Sequence, residues 1–482
     1  MKKVFYMLFS LFLLTSSGEV FSQNAYKITV KTNAFTDTVC YLYHYYGKFQ
    51  MAVDTAYFNN KGIAIFEKKD KALERGIYFI FFPNKKHLDF VVNQDQVITF
   101  QVDTNDISRN TKVTGSRENQ LFYEYNNRVS DIGLEIDAFK KLEEKYKDSN
   151  EDSLKIVQEK IISLNKKLLD QKQLFIDKNP GSLVSKVFLL TKDPDLPEPP
   201  LREDGKPDSV YLYNYYKNNY WENMDFSDDA LVRTPVFHAR LERFTSSVIV
   251  QHPDSVIREI DNLVKKTEHN RELFKYVVWF LTFHYETSSI MGHDAVFVHL
   301  VDTYYRTGKA FWASETVLNK ILERADKLRP ILIGKIAPNM ALMDTSLTSY
   351  SQLWQVDANY TVMIFWDPDC GHCKREVEKL NSIFIEQGDD LGIKIYSVCA
   401  DTSLVRWKNM IDEKGISEWI NVNGTRSALG HYQQLYDVFS TPLIYVLDRE
   451  KKIIAKRLAA ENVPAFIKQF EAIKREENEK QN

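Results

Sequence analysis

Cysteine is scarce in this chain. Four thiols in 482 residues, Cys40, Cys370, Cys373 and Cys399, cannot staple a protein of this size. Exported proteins that rely on disulfides carry them densely. Pairing Cys40 with Cys399 would join what read as separate domains, so no such bridge is expected. Long apolar runs are missing beyond the N-terminus. Residues 273–283 are apolar, but Lys275 interrupts them and His284 and Glu286 bound them, too short and too charged for a membrane helix. An excess of one charge is missing as well. Lys and Arg number 63 against 66 Asp and Glu, a net charge of −3 with both signs interspersed, which points away from nucleic acid. No second CxxC and no HxxxH supplies the further ligands a zinc site needs. Haem attachment wants CxxCH, and Lys374 stands where that histidine would be. No metal and no other cofactor is therefore expected.

What is present is enough to build several cores. Apolar residues make up 44% of the chain and aromatics 13%. The length suggests about three domains. The N-terminus reads as an export signal over residues 1–22: Lys2 and Lys3 form a basic start, residues 4–14 an apolar stretch, and Val20-Phe-Ser22 a cleavage site after Ser22. No cysteine sits at that point to carry a lipid anchor. The expectation is a periplasmic or otherwise exported protein with no stable membrane insertion after cleavage.

Residues 24–115 read as short β-strands with turn residues between them, an antiparallel sandwich-like domain. Within it, Asn59-Asn-Lys-Gly62 carries a hairpin signal. Residues 117–330 switch to helical periodicity. Leu154, Val157, Ile161, Leu164 and Leu168 step by three and four, one apolar stripe that suits a packed helical hairpin. A proline-rich polar loop at 193–207 interrupts the helices, and the aromatics Tyr211, Tyr215, Tyr216, Tyr220 and Trp221 read as core or interface. Residues 333–478 alternate strand and helix: strands at 362–366, 393–398, 443–447 and 453–456, helices at 374–387, 404–414, 427–436 and from Val463 onward. A βαβ unit followed by a ββα unit implies a central sheet flanked by helices.

The chemistry lies in Cys370-Gly-His-Cys373, where a strand becomes a helix. Two thiols separated by two residues can close a small disulfide ring and reopen it. A helix N-terminus carries partial positive charge and stabilises a thiolate, the form that attacks disulfides. The stretch Phe365-Trp-Asp-Pro-Asp-Cys-Gly-His-Cys-Lys-Arg-Glu376 resembles the active site of thioredoxin-fold proteins, in particular the exported TlpA/ResA-like thiol–disulfide oxidoreductases. Gly334-Lys-Ile-Ala-Pro338 resembles the segment opening that domain, and Ser440-Thr-Pro442 its cis-proline loop. The resemblance covers residues 333–478. It implies a C-terminal α/β thioredoxin fold behind β and helical accessory regions.

The resemblance also implies roles. Cys370 would be the nucleophile and Cys373 the resolving thiol of a redox disulfide. Pro442 would place the backbone of Thr441 beside the sulfurs, where it can pair with an extended substrate. Trp366 would pack beside the disulfide and contribute to substrate binding. Glu376 matches a glutamate implicated in proton handling; it reads equally as a first-turn acid that complements the helix dipole. His372 can stabilise the thiolate and make the pair more oxidising. Potentials in this fold run from about −270 mV for thioredoxin to about −180 mV for protein disulfide isomerase. The family resemblance points instead to a reductant fed by a membrane or soluble thiol carrier, so the two hints pull in opposite directions. Protein thiols or disulfides are the expected partners. Two other readings stand beside exchange: a partner-binding module with a structural or vestigial CxxC, and a thiol peroxidase. For the latter, Asp367-Pro-Asp-Cys370 lacks the threonine that peroxide chemistry would place near its cysteine.

Overall fold

Alternation shapes the first strands of this computed structural model, which describes residues 25–481. The signal segment expected at 1–22 lies outside the described residues. In β1 (Tyr26–Lys31) the residues Tyr26, Ile28 and Val30 are buried while Lys31 is exposed. β4 (Ile63–Lys68), β7 (Val97–Gln101) and β8 (Lys112–Thr114) alternate likewise, while β2 (Val39–Tyr46), β5 (Gly76–Phe81) and β6 (His87–Val92) bury more and β3 (Phe49–Tyr57) is largely exposed. They form two four-stranded sheets, ordered β4-β1-β7-β8 and β3-β2-β5-β6. One apolar core that includes Ile28, Leu42, Phe66, Ile80, Phe90 and Phe100 draws on both sheets.

Two details differ from the sequence reading. β1 and β7 pair in parallel, so the domain is not purely antiparallel. Asn59 to Gly62 does not close a hairpin. β3 pairs with β2 and β4 pairs with β1, so this turn carries the chain from one sheet to the other. Asn59 accepts from the N–H groups of Lys61 and Ile63, and Gly62 has φ +69° with its carbonyl on Thr32. A Cβ at Gly62 would stand 1.9 Å from the Thr32 carbonyl oxygen, so only glycine fits.

Two long helices follow, Arg117–Tyr146 and Glu151–Lys178, packed against each other as a hairpin. Ser116 and Asn150 cap their N-termini with side-chain oxygens. Val157 and Leu164 of the stripe are buried, with Leu168 packed beside Leu164. The chain divides into two compact units, residues 1–242 and 243–482, so the helical stretch is shared between them. In the second unit the helices Pro253–Thr267, Arg271–Glu286, His293–Leu300 and Glu315–Leu328 precede an α/β domain.

That domain holds a seven-stranded mixed sheet, β10-β9-β13-β12-β11-β14-β15. Its strands are β9 (Ala341–Asp344), β10 (Tyr350–Gln352), β11 (Tyr360–Trp366), β12 (Ile393–Cys399), β13 (Ile420–Leu429), β14 (Leu443–Leu447) and β15 (Ile453–Lys456). Every residue of β11 is buried, as a central strand covered on both faces requires. β11, β12 and β13 run parallel, and β14 and β15 add antiparallel. The helix expected at 427–436 is a correction. β13 runs on to Leu429, and only Tyr432–Leu435 is helical. Leu342 and Ala341 of β9 pair with Ser427 and Leu429, so a ladder with a distant strand overrides local helical propensity. The architecture is thus β sheets, then helices, then a mixed α/β sheet, as the sequence implies.

Candidate active site

β11 ends at Trp366, and a tight turn follows. Asp367 accepts from the Cys370 N–H with its carbonyl (3.1 Å) and from the Asp369 N–H with its side chain (2.8 Å). The helix Gly371–Leu391 then starts with Cys370 in the cap position. The Cys370 sulfur accepts from the Cys373 N–H at 3.2 Å, standing where a serine or aspartate oxygen would in an ordinary cap. A group that caps a helix sits against its free N–H groups and its positive end, which favours negative charge there.

The two thiols respond in opposite directions. For Cys370, partial burial works upward. It is outweighed by hydrogen bonds from the Cys373 thiol, from the N–H groups of Cys373 and His372 and from the Thr441 side chain, and the thiol is held below its ordinary 9.0. Burial pushes the Cys373 thiol up to about 12, helped by the neighbouring Cys370 sulfur. Both are free thiols, Cys370 half-buried and Cys373 fully buried. The two thiols are therefore displaced in opposite directions by position alone.

Facing them is the Thr441–Pro442 bond, which is cis. The Cys370 thiol lies 3.6 Å from the Thr441 carbonyl oxygen and donates to it. Cys370, Cys373, Thr441 and Pro442 are thus brought together from two segments about 70 residues apart, as 71 separates Cys370 from Thr441.

Three expected site residues behave differently. Trp366 is wholly buried in the apolar core that also contains Cys373, and its indole N–H donates to the Ser397 hydroxyl at 2.7 Å. It supports the site from beneath and cannot touch a substrate. The His372 ring turns to Glu376, Nε2 lying 3.9 Å from Oε1, and what His372 directs at the Cys370 sulfur is its backbone N–H. Glu376 is not a first-turn acid: the helix begins at Gly371, and its first turn holds no acidic residue. Its carboxylate is buried, with Oε1 accepting from Lys379 (3.0 Å) and Oε2 from the Ala460 N–H (2.8 Å).

A solvent-open groove runs past Pro442. His372, Glu376 and Lys379 line it from the helix, Phe439 from the cis-proline loop, and Arg457 and Glu461 from the segment after β15. Lys379 joins two of these segments by bonding both Glu376 and Glu461. Phe439 is 79% exposed, the most exposed large apolar residue among those described. Sequence reasoning missed Phe439, Lys379, Arg457 and Glu461. Only the position of Phe439 three residues before the recognised proline could have pointed to it. Among the described residues no group of three or more His, Cys, Asp or Glu gathers to hold a metal, and no helix is long and apolar enough to cross a membrane.

Comparison with known proteins matches residues 333–456 to the AhpC/TSA family. Residues 26–122 and 196–330 match two domains of unknown function, DUF4369 and DUF5106. No curated protein matches the chain. Among solved structures, a domain of a "possible thiol-disulfide isomerase" from Cytophaga hutchinsonii is 37% identical, with 96% of it and 30% of this chain covered and a TM-score of 0.28. The thioredoxin domain of a thiol-disulfide oxidoreductase from Bacteroides vulgatus is 26% identical over 96% of itself and 29% of this chain, TM-score 0.25. A thioredoxin-like protein from Bacteroides caccae is 16% identical over 99% of itself and 57% of this chain, TM-score 0.43. Residues 333–456 thus match the AhpC/TSA family of thioredoxin-like domains and stand behind N-terminal extra domains, an arrangement consistent with a TlpA-like protein.

Proposed function

We propose that this chain is an exported thiol–disulfide oxidoreductase that exchanges disulfides with protein substrates through Cys370 and Cys373. The observation that carries the reading is the opposite displacement of the two thiols: Cys370 low and half-exposed at the helix cap, Cys373 buried and pushed up to about 12. The Cys370 thiolate attacks one sulfur of a substrate disulfide and forms a mixed disulfide, and the other substrate sulfur leaves as a thiolate that takes up a proton. The Cys373 thiol then loses its proton and attacks Cys370 Sγ. The second substrate thiolate departs, and a Cys370–Cys373 disulfide remains. Two electrons and two protons pass to the substrate. A thiol carrier must return them for the next turnover, and the same steps run backward when substrate dithiols are oxidised.

Thr441 supports the reading as the backbone edge a substrate would meet beside the sulfur, and Pro442 as the residue that fixes it there. Glu376 follows Cys373 by one helical turn, which makes its carboxylate a candidate to receive the proton leaving that thiol. Both its oxygens already accept hydrogen bonds, so its part is to hold the helix against Ala460 as much as to take the proton. The His372 ring lies on the groove side, where it would meet substrate, and it is the His372 backbone N–H that helps hold the Cys370 thiolate. Export rests on the basic and apolar N-terminal sequence.

The test is dithiothreitol-driven reduction of insulin. Wild type should accelerate it, and Cys370→Ser should not. Equal rates for the two would return the chain to a binding module with an idle CxxC. The family match favours one second reading, thiol peroxidase activity. Peroxide consumption that exceeds insulin reduction under the same conditions would favour it.

A further inference from the structure

The loop that carries Thr441 and Pro442 is held from outside its own domain. Arg324, on the helix Glu315–Leu328, donates through Nη1 to Asp437 Oδ1 across 113 residues of sequence. Its guanidinium also lies 5.2 Å from the centre of the Phe439 ring, within cation–π range. The Asp437 side chain is only 3% exposed, and its second oxygen, Oδ2, is buried with no hydrogen-bond partner. Asp437 also sits at φ +54°, a left-handed conformation that aspartate tolerates better than most side chains. Upstream, Tyr436 is pinned by its hydroxyl to the Pro338 carbonyl and accepts from the Tyr445 hydroxyl. Downstream, Leu443 opens β14. Between those anchors the loop crosses Phe439 and Thr441, and Arg324 is the side chain that reaches both its buried carboxylate and its exposed ring.

A second tie fixes the same helical segment to the neighbouring strand. Lys456, at the end of β15, pairs with Asp294 on the helix His293–Leu300 and donates to the Ile331 carbonyl at 2.8 Å. The helical segment therefore grips the α/β domain at two points, and Asp294, Arg324 and Lys456 line one small pocket together.

We propose that Arg324 is a positioning residue for substrate binding: by holding Asp437 and Phe439 it sets the shape of the cis-proline loop and of the groove wall that a protein substrate must lie against. The inference rests on the exchange reading above and assigns part of the helical segment a task in it. Removing the guanidinium leaves a buried carboxylate unanswered and the Phe439 ring unsupported, so the loop relaxes. The helix cap that holds the Cys370 thiolate is made by Cys373 and His372 and does not depend on Arg324.

The experiment measures kcat, KM and the potential of the Cys370–Cys373 pair with insulin as substrate, in wild type, R324A, R324K and D437N. In R324A, KM for insulin should rise by roughly ten- to a hundredfold, with kcat within about twofold and the potential unchanged. R324K keeps a charge on Asp437 but loses the planar face over Phe439, so its KM should fall between the two. D437N should shift KM in the same direction as R324A. An unchanged KM in R324A, in a wild type that reduces insulin, overturns the proposal. So does a matched loss of kcat with a shifted potential, because Arg324 would then act on the thiols and not on the groove. The potential also reports that each variant's site is folded. A wild type that does not reduce insulin overturns the exchange reading itself, which separates the two failures.

Discussion

The N-terminal β domain and the C-terminal α/β domain treat polar groups in their interiors differently. Between residues 26 and 114 the buried polar side chains among the described residues are four threonines, Thr29, Thr32, Thr104 and Thr111. The α/β domain buries charge: Glu376, Asp401, Asp437, Lys451 and Lys456 are all under 9% exposed. An ion taken out of water must be paired and hydrogen-bonded, or it destabilises the fold by several kcal/mol. Lys456, Glu376 and Asp437 have such partners, and Glu376 and Asp437 line the groove beside the dithiol. The cysteines divide the same way. Cys40, the second residue of β2, donates to the Ala56 carbonyl, and burial pushes it up to about 12. Cys399, at the end of β12, is pushed to the same value by burial. Cys370 alone of the four is displaced downward. Reactivity is therefore a property of where the thiol meets the backbone, here a helix cap at the end of a buried strand.

The sharpest way to break this comparison is to exchange the thiols' fates. Cys370→Ser should reduce insulin turnover to the uncatalysed rate, and Cys40→Ser should leave it within about twofold. Cys373→Ala should retain attack and accumulate mixed disulfides, visible on non-reducing gels. Strong loss of turnover in Cys40→Ser would mean that the β domain takes part in the chemistry.

Buried charge gives the next largest effect. Asp294→Ala strands Lys456 inside the protein, and such a half-broken buried pair costs about 3–5 kcal/mol. The exposed Lys27–Glu67 pair between β1 and β4 should matter far less, with Glu67→Ala costing under about 1 kcal/mol. Urea unfolding of both variants checks the contrast, and equal costs would erase it. Burial already lowers the affinity of Lys456 for its proton, which is why its pairing matters.

Much of this was legible in local sequence and some was not. The CxxC, the strand before it and the proline loop are contiguous signals, and each lies where the sequence placed it. Helices 404–414 and from Val463 onward lie where the alternation of strand and helix in the sequence places them. Asn59 to Gly62 misled because a turn signal fixes a reversal of the chain but not which strands pair across it. Residues 427–436 misled because the ladder that claims Ser427 and Leu429 comes from β9, more than 80 residues earlier. Trp366 reads as a residue packed beside the disulfide and open to substrate because it neighbours the motif. Its place in a fully buried strand, with Ser397 to take its N–H, appears only when β12 is laid beside β11. Arg324 and Asp437 carry no local signal, since each is an ordinary surface-type residue until the fold joins them.

Titration separates the thiols in a third way. The folded chain ionises Cys370 below the ordinary 9.0, where the unfolded chain still holds that proton. Reduced-state stability should rise with pH across the window between the lowered value and 9.0, and be lost as pH falls through the lowered value. Above 9.0 the sign reverses. Cys373, Cys40 and Cys399 stay protonated up to about 12 while the unfolded chain ionises them, so stability falls as pH rises. Denaturation of the reduced protein from pH 6 to pH 11 should show both limbs, and Cys370→Ser should remove the rising limb and keep the falling one. In parallel, iodoacetamide should modify Cys370 first, with its rate falling as pH drops through the lowered value.

The smallest effect tests whether the proline loop contributes to the thiolate. The Thr441 side chain lowers both Cys370 and Cys373, but it is the least of the groups acting on Cys370. Thr441→Val keeps the shape and the carbonyl and removes only the hydroxyl. The pH at which Cys370 is half-alkylated should rise by less than about one unit, that is, by less than about 1.36 kcal/mol. The helix cap would remain, because the Cys373 N–H is untouched. A shift as large as the whole displacement of Cys370 would instead give the thiolate to the loop. The helix cap would then be incidental, and the contrast with Cys40 would rest on one hydroxyl, not on the end of a strand.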